Sequence, residues 1–466
     1  MNWLALLLSL SLLVATHEFG HLAFAKLFHV RVRRYYIFFN WKFSILKAKK
    51  FGGRWHFLFF NANTPESWDE KNLAPEDQNN TLWGLGWIPL GGYCDIAGMI
   101  DETKSADDLE SEPQPWEYRT KPAWQRLCII SGGVLVNFLS ALLIYGVMFA
   151  HWGKDELPLR SASLGYDYHQ VMLDQGFQNG DIIYALDGKD YYEVVDVNKA
   201  LLLESPRMAT VLRGDSLVDI PLGDRLVERV NTERVKQLMS LRIPFVVKGF
   251  ASGSTAEKAG LMTGDSVVSV DGERLASFGD IIKVLGQSKD TDVTIGFYRG
   301  GVYDSLPVHV NSNGKIGVQC ENDISRLFPG YRHVEYNILQ AIPAGIAHGW
   351  STLVNYVSSL KLLFAPGGAQ NLGGFGAMAS LFPDHWSWQA FWELTALLAL
   401  VLAFMNVIPI PGLDGGHIIF TLWEIISRRK PSDKFLTVAQ NVGMWLLLAL
   451  MIVANGNDIL RWLGLM

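Results

Sequence analysis

Thr16-His17-Glu18-Phe19-Gly20-His21 lies inside the first long apolar run of the chain. It follows Leu4–Val14, almost purely apolar, and precedes Leu22–Phe28, apolar but for Lys26. On a helix, His17 and His21 are i and i+4, so both imidazoles leave the same side and can share a metal ion. Glu18, one residue on, is placed to take a proton from a water at that metal. Two histidines and a glutamate are expensive inside a membrane span and are read as functional by default. The competing reading is an interfacial or solvated helix end with incidental histidines.

At 466 residues the chain has room for two to four domains. A hydrophobic content of 49% and a mean hydropathy of +0.15 are too apolar for a typical soluble enzyme and too polar for an all-membrane transporter. A few spanning helices plus sizeable water-facing domains fit better. The net charge of −6 argues against a nucleic-acid partner. Cys94, Cys128 and Cys320 are scattered and never paired as Cys-x-x-Cys, so neither a disulfide framework nor a cysteine metal site follows. The N-terminus lacks the positive flank of a signal peptide and its apolar run continues through the metal motif, so Asn2–Phe28 is expected to be a retained helix. At about 1.5 Å per residue it is roughly 40 Å long, enough to span.

Further uncharged runs of spanning length occur at Leu127–Phe149, Leu394–Leu413 and Phe435–Asn457, four spans in all. Nine Lys/Arg lie from Lys26 to Arg54, with no acid between Glu18 and Glu66, which places this segment in the cytoplasm and the N-terminus outside. The loop with Arg428, Arg429, Lys430 and Lys434 is then also inside. Ile342–Phe364 carries His348, Asn355, Lys361 and an early Pro343, and reads as an interfacial amphipathic helix. Val30–Phe60 reads as short strands, Asn61–Thr81 as a solvated loop, and Asp101–Lys121 as an acidic connector. Gly84–Tyr93 is apolar but too short and Gly-rich to span. It can dip into the membrane as a hairpin only if protein or water satisfies its backbone.

The outside segment, about 151–388, contains an internal repeat. Gly176, Gly180, Asp181, Asp187 and Gly188 recur 84 positions later as Gly260, Gly264, Asp265, Asp271 and Gly272. Between them, Ile182–Leu186 and Ser266–Val270 are strand-like and each ends in a turn-forming Asp-Gly. Two β-rich modules of about 80–90 residues are implied. Their Gly-Asp-(five residues)-Asp-Gly pattern resembles the PDZ domain, which implies a groove that accepts an extended peptide by strand addition; a mere spacer is the alternative.

The third run ends in Asn406-Val407-Ile408-Pro409-Ile410-Pro411-Gly412-Leu413-Asp414-Gly415-Gly416-His417. Zinc held by two imidazoles needs one more protein ligand, with a fourth position left open. Asp414 is the candidate, since it falls at the depth of His17 and His21 and the prolines stop the helix ahead of it. His417 is the rival. Asn406 is either a helix-terminal polar residue or a hold on an extended substrate backbone.

Taken together, the His-Glu-x-x-His span, the Asn-x-x-Pro-x-Pro-x-Leu-Asp-Gly motif and the PDZ-like pair resemble the site-2 protease family of intramembrane zinc metalloproteases. The bacterial RseP-type members with tandem PDZ domains are the nearest match in pattern. Ile88-Pro89-Leu90-Gly91-Gly92-Tyr93 resembles the family's membrane-reentrant β-loop, and Asn371–Gly376 its Gly-rich segment. Gly132–Asn137 resembles its Gly-Pro-x-x-Asn motif, without the proline. The Asn61–Thr81 insertion and the long acidic linker depart from shorter members.

The resemblance implies a multi-pass α-helical membrane protein with four transmembrane helices, a reentrant β-loop and two PDZ-like extracytoplasmic domains, in a bacterial cytoplasmic (inner) membrane. It implies Zn2+ on His17, His21 and Asp414, Glu18 as general acid–base, Asn406 as a substrate contact, and Ile88, Pro89, Leu90, Gly91, Gly92 and Tyr93 as an edge strand for unwound substrate. The implied substrates are single-span membrane proteins in the lipid bilayer: anti-sigma factors already cut once, or remnant signal peptides. The PDZ-like pair would then filter substrates by size. The expected order is first span 1–29, β region and reentrant loop 30–100, acidic linker 101–126, second span 127–150, and PDZ-like modules 151–240 and 241–322. An interfacial helix and Gly-rich segment follow at 323–387, then a third span 388–413, a loop 414–434 and a fourth span 435–458. Two other classes compete: a membrane-anchored PDZ scaffold with a vestigial metal site, and a metal transporter. A transporter would want polar residues along several spans, whereas here they gather at one depth.

Overall fold

Six long helices frame the chain in a computed structural model that describes residues 2–89, 91–99, 112–235, 237–366 and 368–464. They are α1 (Asn2–Leu27), α2 (Ala123–Trp152), α3 (Ile338–Ser359), α4 (Trp388–Met405), α5 (Asp414–Ser427) and α6 (Asp433–Trp462). Among the described residues, four segments are long and apolar enough to cross a membrane: α1, α2, α4 and Lys434–Trp462 of α6. The chain divides into two units, Met1–Gly153 with Glu335–Val357 and Leu372–Met466, and Lys154–Val334 with Ser358–Asn371.

In the first unit α1, α2 and α4 share a core that includes Leu6, Leu13, Ala141, Tyr145, Phe391, Ala396 and Leu400. Lipid is as apolar as these side chains, so close backbone approach and polar contacts must hold the helices together. Both are present. A Cβ on Gly20 would fall 2.3 Å from the Gly132 carbonyl oxygen, so only glycine lets α1 and α2 meet there. Ser9 Oγ donates to Thr395 Oγ1 at 2.9 Å in a buried contact between α1 and α4. The segment of α3 within this unit, expected to lie at the interface, packs on α2: a Cβ on Gly345 would fall 2.4 Å from Gly146 N. By contrast α6 buries little of its surface. It is tied near its end by Asp458, whose Oδ2 accepts from Gly374 N (2.9 Å) and Ala377 N (3.0 Å).

Two expected boundaries are corrected. The third span was expected to run to Leu413, but α4 stops at Met405, with Asn406 as its C-cap. Pro409 and Pro411 cannot donate the next helical hydrogen bonds, so Asn406–Leu413 leaves the helix. Residues 414–427, expected as loop, form α5.

The same unit carries a five-stranded sheet of β1 (Val32–Tyr36), β2 (Ser44–Phe51), β3 (Arg54–Asn61), β4 (Leu82–Leu85) and β5 (Tyr93–Ile96), ordered β3-β2-β4-β1-β5. Thus β5 is an edge strand, paired antiparallel to β1. Trp55, Phe57 and Phe59 alternate along β3 and are all exposed, an apolar aromatic face. Asn61–Thr81, expected as a solvated loop, is folded against this sheet. Trp68 is buried beside Tyr36 and Leu82, Lys49 Nζ donates to Trp68 O at 2.8 Å, and Arg31 pairs with Glu70 at 3.2 Å.

The second unit holds two hydrophobic cores, one built on Ile182–Leu186, Met208–Arg213 and Ser216–Pro221, the other on Phe245–Phe250, Ser266–Val270, Thr291–Arg299 and Val302–Val310. The repeated aspartates play matching parts. Asp181 accepts from Arg213 (2.7 Å) and Asp265 from Arg299 (2.6 Å). Asp187 and Asp271 both sit at φ +48°, and their carboxylates accept from Met208 N and Thr294 N. Buried Arg242 pairs with Asp167 and Asp280.

Candidate metal centre

Residues 17, 21 and 414 converge in the first unit. His17 Nε2 lies 3.2 Å from His21 Nε2. Asp414 Oδ2 lies 3.1 Å from the first and 3.5 Å from the second. Ions bound tetrahedrally at about 2.0–2.1 Å separate their ligand atoms by roughly 3.3 Å, so these three spacings match one ion's coordination shell. No other group of three or more potential ligands comes together among the described residues.

Each donor is aimed by its element. Helix α1 stacks the two imidazoles on the face toward α2. His21 Nδ1 lies 3.0 Å from the Ile129 carbonyl, which can only accept, so the ring proton is on Nδ1 and the Nε2 lone pair faces His17 and Asp414. His17 Nδ1 lies 3.4 Å from Asn137 Nδ2 of α2. Gly133 leaves the room: a Cβ there would fall 2.6 Å from His21 Nε2 and 2.7 Å from His17 Cε1.

Asp414 opens α5, where the helix dipole favours a carboxylate. The preceding segment folds back tightly over that helix start. A Cβ on Gly415 would fall 2.0 Å from Ile408 O and one on Gly416 2.6 Å from Pro411 Cα, which explains the paired glycines after Asp414. Although close to both imidazoles, Oδ2 is buried without a hydrogen-bond donor aligned to it. A buried carboxylate oxygen in that position calls for a cation. The donor set of two imidazoles and one carboxylate, with the spacing above, fits zinc.

Glu18 is partly buried next to the imidazoles, with Cys94 of β5 nearby. Tyr35 Oη donates to Ala15 O at 2.8 Å, fixing β1, and through it β5, against α1. Around the expected edge loop, Ile88 bridges Phe39 and Pro89 O accepts from Ser11 Oγ at 2.7 Å. Leu90 lies outside the described residues. Gly91 rests on the Phe39 ring, Gly92 passes close to Tyr36 O, and Tyr93 starts β5 with its ring stacked on Tyr36. Asn406 is buried at the end of α4, where its backbone N–H bonds Leu402 O. His417 stands apart from the three converging donors, its Nε2 3.0 Å from the Gln440 side chain.

What the motif reading left without a role is the surrounding of the rings: the Ile129 carbonyl, Gly133, Asn137 and Thr16. One signal was available, a lone asparagine in the middle of an apolar span.

The model of Peptidase family M50 matches residues 5–62 and 70–450. A protein of Neisseria meningitidis serogroup A that carries the provisional name zinc metalloprotease is 26% identical, with 99% of each chain covered. A similarly named protein of Xylella fastidiosa is 27% identical, with 98% of each covered. The regulator of sigma E protease of Haemophilus influenzae is 26% identical, again over 98% of each. Among solved structures, the PDZ domain of an SdrC-like protein from Listeria monocytogenes aligns with 18% of this chain and 94% of its own, at 18% identity and a TM-score of 0.16.

Proposed function

Since the chain belongs to peptidase family M50 and is a zinc metalloprotease, we propose that it hydrolyses peptide bonds within the transmembrane segments of single-span membrane proteins. Anti-sigma factors and remnant signal peptides are the substrates in view. The name of the Haemophilus influenzae relative supports the first. The observation that carries the reading is the convergence of His17, His21 and Asp414, from opposite ends of the chain, with their three facing atoms 3.1–3.5 Å apart.

His17, His21 and Asp414 would hold the zinc, which when bound polarises the scissile carbonyl and makes a water acidic enough to attack near neutral pH. Glu18 takes a proton from the attacking water as the C–O bond forms, and gives it to the amide nitrogen as the C–N bond breaks. A substrate helix hides its amides in its own hydrogen bonds, so it must be unwound first. The free side of β5, continuous with the Ile88–Tyr93 loop, offers replacement partners where lipid has none. Asn406 would hold the unwound backbone beside the metal.

The protein would lie in the bacterial cytoplasmic membrane, with Ile88–Tyr93 as a membrane-reentrant loop and the exposed aromatic face of β3 at the lipid boundary. The two β-rich modules would be PDZ domains on the outer side, excluding substrates with bulky external domains.

Purified variants test the site. His17→Ala, His21→Ala and Asp414→Ala are expected to lose zinc. Glu18→Gln is expected to keep it and to stop cutting a membrane-embedded reporter. Full proteolysis by Glu18→Gln overturns its role, and normal zinc content in Asp414→Ala overturns the ligand set.

A further inference from the structure

The Asn137 side chain is fully buried in the middle of α2 and touches two groups of α1. Its Nδ2 lies 3.4 Å from His17 Nδ1, and its Oδ1 accepts from Thr16 Oγ1 at 3.0 Å. Thr16 Oγ1 is also 2.9 Å from Leu13 O, so its single hydrogen has two acceptors to choose between.

This choice matters to His17. The ring can offer its Nε2 lone pair to a cation only when its proton sits on Nδ1, and a buried Nδ1–H needs an acceptor. His21 has a carbonyl for that purpose, Ile129 O. Among the described residues, His17 Nδ1 has only an amide, which can face it with either end. With Nδ2 toward the ring, Asn137 donates to Nδ1 and the ring proton is on Nε2, pointing among the three donors. A half-turn about the terminal bond of the side chain presents Oδ1 to Nδ1–H instead. The amide NH2 then donates to Thr16 Oγ1, whose hydrogen passes to Leu13 O. All four groups keep a partner in both arrangements.

We propose that Asn137, backed by Thr16, is the positioning residue that sets the His17 tautomer, and that its amide turns over as zinc enters. The inference rests on the metal-binding reading above. Asn137 touches neither zinc nor substrate; it acts through His17.

Zinc affinity of the purified full chain, measured by competition with a chromophoric chelator, tests this without recourse to activity. Outer partners of a ligating histidine typically contribute about 10- to 100-fold in affinity, so Asn137→Ala should weaken zinc binding by that factor. Asn137→Asp can only accept, from Nδ1–H and from the Thr16 hydroxyl. It should hold zinc within about threefold of wild type or tighter. Thr16→Val should fall between wild type and Asn137→Ala. Helix content, read by circular dichroism, should match wild type in all three. An Asn137→Ala protein with wild-type affinity overturns the proposal. So does an Asn137→Asp protein as weak as Asn137→Ala with its helices intact, which would make the role one of packing. If wild-type protein itself takes up no stoichiometric zinc, the metal reading fails instead, an outcome the same titration separates.

Discussion

Gly133→Ala isolates what the shape of α2 contributes to the metal centre. The added methyl carbon would fall 2.6 Å from His21 Nε2, 2.7 Å from His17 Cε1 and 2.8 Å from His17 Nδ1, all well inside ordinary contact at about 3.5–4.0 Å. Relief requires both rings to move by roughly an ångström. The rings are not free to do so: His21 is tied to Ile129 O and His17 sits against Asn137. Overpacking a fixed site costs about 1–3 kcal/mol. If the cost falls on the loaded geometry, the zinc dissociation constant rises about five- to 150-fold. Gly146→Ala is the control on the same helix, because its Cβ would have no neighbour nearer than 3.5 Å. Purified proteins are compared by zinc retention against a graded chelator, with circular dichroism reporting helix content. Gly133→Ala should lose zinc at lower chelator concentration while keeping its helices, and Gly146→Ala should match wild type. A Gly133→Ala protein within twofold of wild-type affinity would refute the argument that bare backbone at this position makes room for the rings.

Three further outcomes are expected. Burial works to raise the Asp265 pKa, but the paired Arg299 and the Met262 N–H outweigh it and hold the carboxyl below its ordinary range. Its folded pKa is thus below its unfolded one, so the stability it contributes is present above about pH 4 and is lost as pH falls through the folded value. Thermal melts of Asp265→Asn between pH 5 and 3 should therefore show a smaller acid-dependent drop than wild type, and equal drops count against the pairing. Asp458→Ala removes the acceptor for Gly374 N and Ala377 N; losing a cap of about 1 kcal/mol should speed amide exchange in residues 372–379 about fivefold, with zinc retained. Unchanged exchange would show that Asp458 does not tie α6 down. Deleting Tyr166–Gln319 should permit cleavage of substrate that keeps its external domain, and an unaltered need for a first cut elsewhere would defeat the filtering role.

The long apolar helices and the three converging donors were legible in the sequence for a physical reason. Lipid satisfies no backbone or charged group, so spans must be long and apolar, and His17, Glu18 and His21 stand out against them. The end of α4 was less legible, because hydropathy runs unbroken from Leu394 to Leu413 while Pro409 and Pro411 act on hydrogen bonding that hydropathy does not record. Helix α5 was hidden for a similar reason: the basic cluster after it drew the loop boundary forward to Asp414. Asn61–Thr81 looked solvated by composition, yet Trp68, Lys49 and Glu70 fold it onto the sheet through contacts made across many residues. In the sequence Asn137 reads only as part of the Gly132–Asn137 motif. Its contacts become visible once α1 and α2 are side by side, since its partners lie some 120 positions away.

The order in which the donors occur along the chain has a consequence for biogenesis. Two of them are present once residue 21 has been made, but the third comes 393 residues later (414 − 21). At about 5–20 residues per second, translation needs roughly 20–80 s to cover that distance. Throughout that interval the nascent polypeptide holds two of the three converging donors, and the set is complete only once α5 has been made.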